Sequence, residues 1–195
     1  MTSTLMTREV LGQGSADGPA RRWPWVVAAV LAALLGAGWY ADGAARDRTA
    51  DALVAAALSG EQVADAADLE VGAAIAYSQP LLLSAAAPAD VSRDLDALVR
   101  SAADRAAPRA ATAATTVEEV RVLPWHGSLA DARDALAGYL AARAALLDRA
   151  SADLSSYWVP RDDQLVLRER AATAFAVAGA DVGRPGLAEE AGLAP

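Results

Sequence analysis

From Trp23 to Ala41 the sequence reads WPWVVAAVLAALLGAGWYA, nineteen residues without a charge. As a helix rising ~1.5 Å per residue it reaches about 28 Å, close to the ~30 Å hydrocarbon thickness of a bilayer. Such a segment either stays in a membrane or is cut away as a secretion signal. Arg21 and Arg22 close it on one side and Asp42 on the other. Trp23 and Trp25 at one end, with Trp39 and Tyr40 at the other, match the aromatic belts at the two faces of a bilayer. The run exceeds the roughly 7–15 apolar residues of a cleaved signal. Gly43, Ala44 and Ala45 offer the small residues that signal cleavage needs, but bulky aromatics just before them are atypical of such a site. The sequence therefore predicts a transmembrane helix retained over residues 23–41.

Arg8, Arg21 and Arg22 precede the span, and Arg46 and Arg48 follow it. Two of the leading arginines sit flush against the apolar run, so the positive-inside bias predicts a cytoplasmic N-terminus and an extracytoplasmic remainder. The expected setting is a bacterial cell membrane crossed once. Residues 1–22 hold Gly12, Gly14, Gly18 and Pro19 without an apolar period, the pattern of a disordered cytoplasmic tail.

Beyond the span, composition limits the partners. The 195 residues include 53 alanines and 17 arginines without a lysine, so residues 42–180 are expected to form one small α-helical domain with an Ala-, Leu- and Val-built core. Residues 42–195 carry 14 Arg against 23 acids, a net charge of −9. An acidic domain without a basic stripe repels polyanions, which argues against nucleic acid as a partner. The absence of cysteine excludes a disulfide framework, a thiolate nucleophile and a Cys-based zinc site.

The Ala-rich run after Asp42 predicts a helix to Leu58, stopped by Ser59 and Gly60, with a second helix over Glu61 to Tyr77. Pro88 and Asp90 open another, with Val91, Leu95, Leu98, Val99 and Ala102 on one side. RAAPRAATAATT reads as a low-complexity linker, and VEEVRVL is ambiguous between a helical turn and a short strand. The strongest element is a helix capped by Ser128 and running to about Trp158. Leu129, Ala132, Leu136, Tyr139, Leu140, Leu147, Ala150, Leu154 and Tyr157 form its apolar stripe. A last helix starts at Asp162 or Asp163, passes through Leu165, Ala172 and Phe175, and fades at Gly179. Residues 181–195 read as a disordered C-terminal tail. The expected fold class is all-α: one N-terminal transmembrane helix followed by an extracytoplasmic antiparallel helical bundle.

Chemistry-bearing residues are few. His126, in LPWHGS, is the single histidine, and Ser128 follows two residues later. Without a nucleophile elbow or comparable motif, Pro124, Trp125, Gly127 and Ser128 are read as a stop, a hydrophobic staple, a turn and a helix cap. The acid pairs Asp94/Asp96, Glu118/Glu119, Asp162/Asp163 and Glu189/Glu190 lack a calcium-loop pattern and read as caps and solvated faces. No catalytic residue, metal site or cofactor is expected.

Arg143 is different, being the one charge at the centre of the long helix's apolar stripe. A buried guanidinium needs an acidic partner or carbonyls, so Arg143 snorkels past a small neighbour, pairs within the bundle or, with Tyr139, contacts an anionic ligand or a partner. Within the span, Ala28, Ala32 and Gly36 repeat at four-residue spacing, a candidate face for close helix packing. The layout resembles the ligand-sensing helical bundles of bacterial receptors, in architecture alone. Those receptors return through a second span to a cytoplasmic module, which this sequence lacks, and no residue role carries over.

These readings converge on a membrane-anchored, non-enzymatic envelope protein. Its partners would be the lipid bilayer and either another protein or a second copy of itself. The alternative is a small-molecule or ion-binding sensor domain acting through a separate membrane partner.

Overall fold

The computed structural model describes residues 23–82, 89–152 and 162–193. Among these the chain is all-helical, without a strand. Its helices are α1 (Trp23–Leu82), α2 (Ala89–Glu118), α3 (Gly127–Ala152), α4 (Asp162–Val182) and α5 (Leu187–Glu190). The chain divides into two units, Met1–Asp42 and Gly43–Pro195.

In the first unit, every residue from Trp23 to Ala41 is exposed, so burial by the rest of the chain does not account for the apolar run. This is the one helix among the described residues long and apolar enough to cross a membrane. Pro24 sits in its first turn, where a missing N–H costs nothing. Ala28, Ala32 and Gly36 are exposed with the rest, and a Cβ built on Gly36 would meet nothing within 4 Å.

The second unit is built from residues 43–82 of α1 with α2 to α5. Ser59 and Gly60 do not stop α1, contrary to expectation, and the helix continues to Leu82. One interior glycine costs a helix only about 1 kcal/mol relative to alanine. Here that cost is offset by packing: Gly60 is buried, and a Cβ on it would lie 2.7 Å from Leu140 Cδ1. The end of the Leu140 side chain fills the space that a side chain at Gly60 would take.

The expected linker RAAPRAATAATT is also helix. Pro108 lies inside α2, where a proline removes one backbone bond and costs about 3 kcal/mol in isolation. Both Pro108 and Asp104, whose carbonyl loses its donor, face solvent. Ala106, Ala107, Ala110, Ala113, Ala114 and Val117 are buried along the opposite side and hold the helix in place. VEEVRVL ends α2 at Glu118 and forms no strand.

Two core clusters result. One joins Ala50, Leu53, Ala57 and Ala64 of α1 to Val117 of α2, Leu129, Leu136 and Leu140 of α3, Phe175 of α4, and Leu187 and Leu193. The other is almost all alanine, with Ala67 and Val71 of α1, Val99 to Ala110 of α2, and Ala144, Leu147 and Ala150 of α3. Small side chains at these positions permit close helix approach. The expected face of α2 holds for Leu95, Val99 and Ala102, whereas Leu98 is 41% exposed.

The predicted stripe of α3 is buried at Leu129, Ala132, Leu136, Tyr139, Leu140, Leu147 and Ala150. Leu154, Tyr157 and Trp158 lie outside the described residues. The helix starts at Gly127, with Ala130 N donating to His126 O at 3.1 Å, so Ser128 falls inside the first turn rather than capping it.

The C-terminal region corrects the sequence reading most. Helix α4 runs past Gly179 to Val182, and residues 181–193 are folded rather than a disordered tail. Gly183 adopts φ 75. Its N–H donates to Ala180 O, and Arg184 N donates to Gly179 O at 2.7 Å, closing α4 with a left-handed glycine cap. Gly192, at φ 71, closes α5 in the same way through Leu193 N to Ala188 O. The two caps turn Leu187, Ala188, Ala191 and Leu193 into the core. Short glycine-punctuated segments look like loops in sequence because their apolar residues have no period long enough to read.

Candidate functional site

The strongest constellation in the second unit surrounds Arg143. Its side chain is 8% exposed, as its place in the stripe of α3 requires. Nη1 donates to Glu61 Oε2 at 2.9 Å, and Nη2 donates to Asp65 Oδ1 at 2.8 Å and to Asp68 Oδ2 at 2.5 Å. All three acids come from α1 at spacings of four and three, which places them on one helix face. Glu61 and Asp68 are largely buried, whereas Asp65 is 64% exposed.

Tyr139, one turn before Arg143, completes the group. Its hydroxyl lies 3.5 Å from both Glu61 Oε2 and Arg143 Nη1, and the guanidinium carbon stands 5.9 Å from the ring centroid. Burial and the negative charge of Glu61 push the Tyr139 phenol above its ordinary value. Burial disfavours the Arg143 cation, but the hydrogen bonds of Asp68 and Asp65 outweigh it and hold the guanidinium above its usual range. Arg168 of α4 approaches the far oxygen of Glu61 at 3.9 Å.

Chemically this is a register lock. An incoming anion would have to displace carboxylates that already use both terminal nitrogens of Arg143, and would add charge to an acidic group. Glu61, Asp65 and Asp68 went unremarked among the acid pairs weighed in the sequence. Their spacing was legible there, but the helix opposite them was not.

A second set lies at the start of α3. Arg46, Trp125, His126, Gly127, Ser128, Leu129, Asp181 and Val182 line a cleft of about 240 Å³. His126 is buried at 4% exposure and meets the Trp125 ring edge-on, with centroids 5.9 Å apart. Trp125 itself is 65% exposed, so it is not the staple expected of it.

A third feature is a groove of about 480 Å³ between α3 and α4, lined by Ser128, Asp131, Val166, Glu169, Arg170, Thr173, Ala174 and Val177. Val166 and Val177 are exposed at 62% and 54%, with Leu165 beside them at 66%. Of the apolar residues through which this helix was expected to pass, Phe175 is buried and Leu165 is not.

No family model, no curated protein and no solved structure matches this chain.

Proposed function

We propose that this is a single-pass membrane-anchored envelope protein whose helical domain acts by protein–protein contact and performs no catalysis. The observation that carries the anchor is the Trp23–Ala41 segment, apolar over a bilayer's thickness and exposed at every residue. Leaving that much apolar surface in water is unfavourable by about 25 cal/mol per Å². Lipid removes the cost.

The domain is read as an antiparallel bundle. Ala67 and Val71 share a cluster with Leu147 and Ala150, and Glu61 sits on Arg143, which supports α1 and α3 running the same way. Arg100, early in α2, donates to Ala152 O at the end of α3. Asp51 pairs with Arg184, and Glu61 lies near Arg168, as expected for α4 running opposite to α1. The arginine distribution around the span supports a cytoplasmic N-terminus and an extracytoplasmic domain. The contact surface is assigned to the α3–α4 groove, where exposed Leu165, Val166 and Val177 form an apolar strip rimmed by Asp131, Glu169 and Arg170.

Fractionation tests the anchor: full-length chain should sediment with membranes and resist carbonate extraction. Because the chain lacks cysteine, single substitutions report topology. A membrane-impermeant maleimide added to intact cells should spare Ser15→Cys and label Ala152→Cys. The reverse pattern would place the domain in the cytoplasm. In-cell crosslinking from a photoreactive residue at Val177 should capture a discrete protein and lose it in Val166→Asp. Covalent modification of Ser128 by a fluorophosphonate probe would overturn the non-enzymatic assignment.

A further inference from the structure

Trp125 is a large aromatic exposed at a loop corner, and its cleft contains Arg46. Arg46 lies five residues beyond Ala41, the last residue of the apolar run. Five residues of chain span at most about 18 Å even when fully extended. The cleft that Trp125 lines therefore holds a residue tethered within that length of the end of the apolar run. A headgroup layer adds roughly 5–7 Å on each side of the hydrocarbon, and tryptophan favours that zone because its ring is apolar and its N–H polar.

We propose that the Trp125 corner is a bilayer-contact surface that seats its indole in the headgroup region of the membrane in which α1 is anchored. This rests on the anchored reading of residues 23–41. Charge in the cleft is mixed, Arg46 being accompanied by Asp181 in its lining. Attraction to anionic lipid is thus not what drives the contact. The indole is, and a zwitterionic bilayer suffices. The contact would hold the α3 start against the membrane and restrict how the domain tilts about its tether.

Depth-dependent fluorescence quenching tests this on the full-length chain in phosphatidylcholine vesicles carrying bromines at defined acyl positions. Variants keep one tryptophan each, the others being changed to Phe: Trp125 alone, Trp39 alone, or a tryptophan introduced as Leu98→Trp. Leu98 is in α2, two residues from Arg100, which bonds the far end of α3. The expected result is at least twofold stronger quenching of Trp125 by shallow bromines than by deep ones, clear quenching of Trp39, and none at Leu98→Trp. Replacing a third of the lipid by phosphatidylglycerol should leave the Trp125 signal unchanged.

Quenching of Trp39 with none of Trp125 would overturn the contact and leave the anchor standing. Absence of quenching at both would overturn the anchor as well. Equal quenching at Trp125 and Leu98→Trp would mean that the domain adsorbs without preference, which also overturns the proposal. Strengthening with phosphatidylglycerol would replace the indole by the arginines as the cause.

Discussion

Replacing Arg143 by Met retains most of the side-chain length and removes the charge, isolating what the guanidinium does for Glu61, Asp65 and Asp68. Asp65 is 64% exposed, so water screens it and its loss counts for little. Glu61 and Asp68 are only 18% and 19% exposed, and without Arg143 each loses a charged partner where little water reaches. Breaking a buried pair by removing one partner costs about 3–5 kcal/mol, and the residual water access of these two acids puts the expectation at the lower end, about 3 kcal/mol. Urea unfolding of the full-length protein in a mild detergent, followed by circular dichroism, measures it. Adding Glu61→Gln and Asp68→Asn to Arg143→Met should restore most of the loss, since the one acid left in the cluster, Asp65, is exposed to water. A single variant within about 1 kcal/mol of the parent, or a triple no better than the single, would refute the register-lock reasoning.

Other expectations test the fold and its titrations. Gly60→Ala should be nearly neutral, because the flexible end of Leu140 can yield and the helix gains about 1 kcal/mol of propensity. Gly179→Ala should cost about 2 kcal/mol or more, since its Cβ would strike the Arg184 carbonyl and lie 2.9 Å from Leu187 Cβ, with the loss accompanied by faster hydrogen exchange over residues 184–193. Tyr139 should ionise above the ordinary phenol range, seen as tyrosinate absorbance absent from Tyr139→Phe. Its folded value is raised, so its stabilising contribution is complete below about pH 10 and is lost as pH rises through the folded value. Glu70, held low chiefly by its hydrogen bond to Arg109, has the opposite sign: its contribution exists above the ordinary carboxylate range and vanishes as pH falls through the depressed value. Glu70→Gln should therefore weaken the protein slightly at neutral pH and not at all in strong acid.

The apolar run, the all-helical class, the stripe of α3 and the burial of Arg143 were legible from sequence, because each rests on a local quantity: segment length, propensity or a 3.6-residue period. That a buried Arg143 needs acids or carbonyls was legible too; that the partners were Glu61, Asp65 and Asp68 was not, since an ion pair across roughly eighty residues depends on which faces of α1 and α3 meet. The misplaced boundaries share one cause. Gly60, Pro108 and the segment after Asp181 carry local signals against helix or order, each worth about 1–3 kcal/mol. Such penalties decide the outcome only where nothing larger opposes them. Leu140 filling the space over Gly60, the alanine face packed beneath Pro108, and Leu187 and Leu193 drawn into the core by two glycine caps are tertiary terms that outweigh them. The sequence by itself determined which segments could be helix and which one could enter a membrane. Only packing decided where the helices continue and which charges become partners, because those energies belong to pairs of surfaces and not to any stretch of chain.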